Sequence, residues 1–344
     1  MRPFTYQRPD SVPQAIHAAL SVSTPRDVPP TQAPGQYVAG GTTILDLMKL
    51  DVMRPQVLVD ISNLAGPRNA IEVGKDGVRF GPLVRMAEAA EHPAIARDYP
   101  LIAETLVLAA SPQLRNMATL GGNVLQRTRC LYFRDTAWAA CNKRDPGSGC
   151  AALEGVNRQH AVLGVSDQCI ATYPGDFAQA LIALDAQIDI SGARGARTVA
   201  FEKLHRQPGD TPHVETSLAP GDLITAIRVP AAPWTRRSLY LKIRDRESYQ
   251  FALASAAVAL DLHDNTVNEC RLALGGVATV PWRAREAEAL LKGKRLDEDS
   301  ARAAAEAAFA GARSREHNAF KISLGKQTVV RALLQAQRME VSNV

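Results

Sequence analysis

The residues with the most distinctive chemistry in this sequence are its five cysteines, Cys130, Cys141, Cys150, Cys169 and Cys270. Four of them fall within 40 of the 344 residues, where an even scatter would place roughly 0.6, so the clustering asks for a cause. Disulfides suit an oxidising compartment and small domains poor in core. This chain is large, with 46% hydrophobic and 22% charged residues, and no apolar leader follows Met1-Arg2-Pro3. Structural zinc draws its thiolates from close pairs such as C-x₂-C, whereas 10, 8 and 18 residues separate these four. An iron–sulfur cluster takes four thiolates on the corners of a larger cube, and a long loop can deliver them at irregular spacing. Inert buried thiols are the remaining reading.

The surroundings favour the cluster. Arg127, Arg129, Arg134, Lys143, Arg144 and Arg158 outnumber Asp135, Asp145, Glu154 and Asp167, the balance that an anionic four-thiolate centre wants. Pro146-Gly147-Ser148-Gly149 can bring backbone N–H groups close to the Cys150 sulfur. Cys270 sits in the alternating stretch Val267 to Leu274 and reads as a buried small hydrophobe.

Two glycine turns form the second feature. Val38-Ala39-Gly40-Gly41-Thr42 follows a strand signal and precedes a helix signal, and Thr119-Leu120-Gly121-Gly122-Asn123 stands just before the cysteines. Paired glycines let backbone approach a ligand closely, and successive N–H groups form a concavity for phosphate oxygens. No G-x-G-x-x-G follows a strand, and no P-loop or HExxH motif exists, so a dinucleotide would need another architecture.

The elements that must position these residues alternate between helix and strand periods. Ser11 caps a short helix ahead of a proline-rich loop at 23–35. Strands are expected at 36–39, 57–60, 70–73, 78–80 and 187–190, and helices at 43–50, 85–91, 101–110 and 176–184. Stretches 225–229, 238–243, 254–262 and 266–274 read as one antiparallel sheet, followed by helices at 282–291, 297–310 and 317–339. The length suits two or three packed units. A net charge of +5 with a pI of about 9.0 is spread along the chain, unlike a nucleic-acid stripe. No run approaches the ~18 apolar residues of a membrane span.

Taken together, residues 38–42, Leu114-Arg115-Asn116-Met117-Ala118 with the second glycine turn, Pro174-Gly175-Asp176 and Lys242-Ile243-Arg244-Asp245-Arg246 resemble the FAD-binding subunits of the molybdenum hydroxylases. The resemblance implies an α+β chain. It would have an FAD-binding fold of two α/β subdomains of the vanillyl-alcohol-oxidase type, at 1–55 and 56–229, and a C-terminal domain of three antiparallel strands with helices at 230–344. Most members lack the segment at about 127–172. Here it is similar to the iron–sulfur insert of the bacterial periplasmic aldehyde oxidoreductase branch, which implies a [4Fe–4S] cluster on Cys130, Cys141, Cys150 and Cys169.

By the same resemblance, Val38, Ala39, Gly40, Gly41, Thr42, Thr43, Ile44, Thr119, Gly121, Gly122 and Asn123 cradle FAD, and Asp176 bonds the nucleotide. Ile224 packs near the isoalloxazine, and Lys242 is the candidate cation at its pyrimidine edge. Ala109 stands where some relatives place an aromatic. The implied partners are a large molybdenum-cofactor subunit and a small [2Fe–2S] subunit, with the chain relaying electrons from aldehyde oxidation to an acceptor. A complex of the 4-hydroxybenzoyl-CoA reductase type, a stand-alone flavin oxidoreductase and a zinc-holding scaffold are the alternatives. Location is expected to be periplasmic, by export with a signal-bearing partner, or cytoplasmic.

Overall fold

Three sheets take up the strand signals. The computed structural model describes residues 1–25, 28–64 and 69–341; two positions of the proline-rich stretch at 23–35 and the last three of the span 230–344 lie outside the described residues. The first sheet is parallel, with β1 (Thr5–Gln7), β2 (Gly35–Val38) and β3 (Val57–Asp60) in the order β1-β3-β2. Val57-Leu58-Val59-Asp60 is buried throughout, as a central parallel strand must be. The helix Val12–Ala19, capped by the Ser11 side chain, lays Ala15, Ala18 and Ala19 on Val57 and Val59. Leu58 meets Leu47 and Met48 of the helix Ile44–Lys49 on the other face. The first subdomain therefore reaches past residue 55 to take in β3.

The second sheet is antiparallel. It holds β4 (Ile71–Gly74), β5 (Gly77–Phe80), β6 (Gln187–Gly192), β7 (Gly195–Ala200) and β8 (Leu223–Pro230) in the order β4-β5-β8-β6-β7. Phe80, Ile188 and Ile227 join Leu101, Leu106, Phe177 and Leu181 of the helices Pro100–Val107 and Phe177–Ala183 in one core. The expectation for 225–229 is corrected here. Alternation marks a strand without naming its neighbours, and β8 pairs with β5 and β6 rather than with the C-terminal strands.

The third sheet runs β12-β11-β10-β9, from β9 (Ser238–Ile243), β10 (Ala254–His263), β11 (Thr266–Gly275) and the short β12 (Trp282–Arg283). It carries the three expected strands and a fourth, because residues 282 and 283 pair with Leu274 and Ala273. The helix expected from 282 starts at Arg285. β10 is buried on both faces. Ala256, Val258 and Leu260 point toward the helices Glu298–Ala308 and Phe320–Gln337, while Ala257 and Ala259 join the core of the second sheet. Two-residue alternation thus welds the C-terminal domain to the rest. Cys270 lies in the C-terminal core, 2% exposed, and burial pushes its thiol up. Among the described residues, no helix is long and apolar enough to cross a membrane.

The cysteine segment has little regular structure, so its backbone groups find partners elsewhere. Asn142 Oδ1 accepts from Gly147 and Gly149 N–H at 3.0 and 2.9 Å, and its Nδ2 donates to the Gln168 carbonyl at 3.1 Å. The segment is anchored on the C-terminal domain through Val162 N–H to the Val277 carbonyl at 2.8 Å and Arg158 to Asp245 at 2.8 Å.

Lys321, on the long C-terminal helix, is fully buried, and its Nζ donates to the carbonyls of His160 at 3.1 Å and Gly276 at 2.7 Å. Burial, reinforced by Arg158, presses its pKa from 10.5 to about 7. Below pH 7 the ammonium is charged in both folded and unfolded chains. From about 7 to 10.5 only the unfolded chain keeps the extra proton, so stability rises with pH across that window. Lys321→Met should remove about 3 kcal/mol of this rise between pH 7 and 10. Denaturant titrations of both proteins at the two pH values check it, and parallel pH profiles would refute it.

Candidate functional site

The turn after β2 opens the site. Gly41 has φ of +73°, a backbone that L side chains rarely adopt. The carbonyl of Met117 sits where a Cβ on Gly40 would be, so the two glycine turns are packed backbone to backbone. Thr43 begins the helix Ile44–Lys49 without a side-chain cap. The N–H groups of Thr42, Thr43 and Ile44 have no acceptor among the described residues, leaving a cluster of donors for an anion.

The second turn is built differently. Ser111 caps the helix Pro112–Arg115 and Thr119 caps the helix Leu120–Val124. Here the protein uses the donors itself. Gly121 N–H reaches the Pro82 carbonyl at 2.8 Å, and Gly122 N–H makes a long bond of 3.3 Å to Thr119 Oγ1. Among the described residues, the open N–H groups are therefore at the first turn, and those of Gly121 and Gly122 in the second are taken up by the protein.

Both turns line one cleft, together with Tyr37, Ile224 at the start of β8, Arg127, Thr128 and Lys143 of the cysteine segment, and Tyr173 just after it. Tyr37 donates to the Gly221 carbonyl at 2.7 Å and ties β2 to the approach to β8. Glu215 also lines the cleft, between Arg127 Nη2 at 2.7 Å and Lys143 Nζ at 3.4 Å. Burial disfavours its charge, but the two cations outweigh burial and hold the carboxyl at about 2. His205 closes the wall, stacked edge-on against Tyr173 at 4.7 Å, with Nε2 2.9 Å from the Val124 carbonyl. Its Nδ1 has no partner among the described residues.

Of the residues expected to cradle the cofactor, Ala39, Gly40, Gly41, Thr42, Thr43, Ile44, Thr119, Gly121, Gly122 and Ile224 line this cleft. The structure does not bring the others into its lining. Val38 and Ala109 pack in apolar clusters, and Asn123 directs Nδ2 at the Met86 sulfur at 3.3 Å. Asp176 is 4% exposed. Its oxygens accept from Tyr240 Oη at 2.6 Å and Lys242 Nζ at 2.7 Å, and Lys242 also donates to the Leu108 carbonyl at 3.0 Å. These two residues are thus a buried brace between β9 and the helix Phe177–Ala183, with their bonding capacity directed at protein partners. Tyr37, Arg127, Lys143, His205 and Glu215 escaped the sequence reading of the cleft. Arg127 and Lys143 had drawn notice only as cations beside cysteines.

Cys130 packs in one small apolar cluster with Cys141 and in another with Cys150. Cys141 and Cys150 face each other across an antiparallel bridge. Cys141 lies near enough for its charge to act on Cys130, Cys150 and Cys169. The Ala171 N–H donates to the Cys169 sulfur at 3.4 Å. Burial pushes the Cys130 thiol up to about 12 and that of Cys169 up to about 11. All five thiols are free, and among the described residues no three His, Cys, Asp or Glu side chains close on a single ion.

Comparison with known proteins agrees with this architecture. Residues 2–232 match the family described as FAD binding domain in molybdopterin dehydrogenase, and residues 239–336 match the CO dehydrogenase flavoprotein C-terminal domain. The aldehyde oxidoreductase FAD-binding subunit PaoB of Escherichia coli (strain K12) is 44% identical over 98% of this chain and 99% of its own. The carbon monoxide dehydrogenase medium chain of Afipia carboxidovorans is 30% identical over 90% of this chain and 88% of its own. The solved carbon monoxide dehydrogenase of Hydrogenophaga pseudoflava superposes with a TM-score of 0.73 at 26% identity, covering 98% of both chains. The chain belongs to the FAD-binding subunits of the molybdopterin dehydrogenases, an oxidoreductase family.

Proposed function

We propose that this chain is the electron-relay subunit of a three-subunit, molybdenum-containing aldehyde oxidoreductase, with FAD in the cleft and a [4Fe–4S] cluster on Cys130, Cys141, Cys150 and Cys169. When bound, the two groups supply stepwise electron exchange between the partner subunits and an external acceptor. The observation that carries the reading is the shared wall: Arg127, Thr128, Lys143, Ala171 and Thr172 line the cleft and belong to the stretch that bears the four thiols. The near-full-length likeness to an aldehyde oxidoreductase subunit supports the substrate class.

This chain's own residues bind and orient. Thr42, Thr43 and Ile44 N–H groups offer donors to a diphosphate, and the Arg127–Glu215–Lys143 group forms part of the cleft wall. Ile224 supplies apolar surface, and the Ala171 N–H aimed at the Cys169 sulfur favours thiolate over thiol there.

Cys130→Ser tests the cluster. The purified variant should lose iron, inorganic sulfide and the broad absorbance near ~400 nm while keeping its FAD, and Cys270→Ser should lose none of them. Unchanged iron and sulfide in Cys130→Ser would overturn the assignment. The relay role predicts no aldehyde turnover by the isolated chain and turnover once a molybdenum subunit and a [2Fe–2S] subunit are added. Turnover by the chain alone would favour a stand-alone oxidoreductase.

A further inference from the structure

We propose that Cys141 and Cys150 form a reversible dithiol pair, which closes to a cross-strand disulfide in the metal-free chain. The inference stands apart from the four-thiolate reading, because it concerns these two thiols before any metal reaches them. Asn142 N–H donates to the Gly149 carbonyl at 2.7 Å, and Ala151 N–H to the Ala140 carbonyl at 3.0 Å. These two bonds flank the Cys141–Cys150 bridge, which makes the cysteines a non-hydrogen-bonded antiparallel pair. Such pairs stand about 4.5 Å apart at Cα, with both side chains on one face. A disulfide spans roughly 4.4–6.8 Å between Cα atoms, so the bond can form by side-chain rotation with the backbone left in place. Among the described residues, no other two cysteines oppose each other in a bridge.

The turn that carries the pair is fixed from within. Cys141 N–H donates to Ser148 Oγ at 3.0 Å, and Ser148 Oγ donates to the Asp145 carbonyl at 2.6 Å. With the Asn142 side chain on Gly147 and Gly149, these bonds keep the two arms in register. Exposure sets the order of events. Cys150 is half-buried and Cys141 is 7% exposed, so a small disulfide such as glutathione disulfide meets Cys150 first. The Cys150 sulfur bonds to one glutathione sulfur, the reagent's S–S bond breaks, and one glutathione leaves as thiol with the Cys150 proton. Cys141 then attacks the Cys150 sulfur, and the second glutathione leaves as thiol with the Cys141 proton. Two electrons have passed to the reagent, and excess thiol reverses both steps. While the bond stands, neither sulfur is free to bind a metal.

The test is non-reducing peptide mapping of the full-length protein. Wild type is stripped of metal by a chelator under reducing conditions, freed of both, incubated with glutathione disulfide, alkylated and cut with trypsin. Segment 135–143 should be joined to 145–158, and the five thiols should fall by the two that are joined. Cys130→Ser, purified without chelator, gives a second arm for the case in which stripping unfolds the wild type, and the same link should form there. Cys141→Ser should leave Cys150 carrying a glutathione adduct, because the thiol that displaces it is gone. A full count of alkylated thiols, a lasting glutathione adduct on Cys150 with Cys141 intact, or a dominant link to Cys169 would each overturn the proposal. Iron and sulfide in the starting material are measured separately and bear on the four-thiolate reading alone.

Discussion

Glu215→Leu should cost about 3–5 kcal/mol of stability, the penalty for leaving buried cations without their anion. Arg127 is 5% exposed at its side chain and Lys143 13%, and both address Glu215 Oε1. Surface ion pairs of similar length contribute ~0–1 kcal/mol, so burial decides the size of the effect. The guanidinium also lies over the Phe133 ring at 4.5 Å, which keeps it from turning toward water. The double variant Arg127→Met, Glu215→Leu should recover part of the loss, since it removes the more buried of the two uncompensated cations and leaves Lys143. Denaturant unfolding of flavin-free protein measures each, and a single-variant loss below ~1 kcal/mol would refute the account.

The same pair gives a pH signature. The Glu215 carboxyl, at about 2 in the fold against 4.5 in the unfolded chain, means that between these values the unfolded chain binds the extra proton. The stabilisation is fully present above pH 4.5 and is lost as pH falls toward 2, on the order of 3 kcal/mol in all. In Glu215→Leu that acid-side decline should be shallower by this amount.

Glu215 also marks where sequence reading stops. Its partner Arg127 is 88 positions away, and neither residue sits in a pattern that announces the other. The cysteines were legible as a group because four scarce, reactive residues crowd one segment, and the glycine turns because each breaks a strand-to-helix passage. Most strands and helices were legible from their periods, as in β10 and β11. The partners of β8 were not, because a two-residue period fixes which side chains face inward and leaves the neighbouring strand open. β7 was overlooked altogether: its residues are exposed or half-buried, so it lacks the apolar alternation that marks a strand. Asp176 and Lys242 stood out through motif likeness, yet what they do locally, bonding each other across 66 positions, appears only in the folded chain.

Replacing each glycine of the two turns by valine should give flavin-poor protein for two different reasons, and the difference isolates ligand approach from folding. At Gly41, φ of +73° is strained for any β-branched residue, and a Cβ would meet Leu45 Cδ1 at 2.8 Å. Gly41→Val should therefore lose both FAD and stability, on the order of 1–3 kcal/mol of the latter. Gly122 has ordinary helical geometry, and a Cβ there would meet only Thr119 Oγ1, at 3.1 Å. The fold gives little reason for glycine at that point, which lies in the helix Leu120–Val124, where glycine itself costs roughly 0.5–1 kcal/mol relative to alanine. Gly122→Ala should accordingly fold as well as the wild type, and Gly122→Val nearly so. Both should bind FAD at least about tenfold more weakly, the worth of ~1.4 kcal/mol of lost close contact. Flavin titration of the stripped proteins, beside their unfolding curves, separates the cases. If Gly122→Val retains a full complement of FAD, the surface of the second turn does not touch the cofactor, and binding must rest on the open N–H groups of the first turn alone.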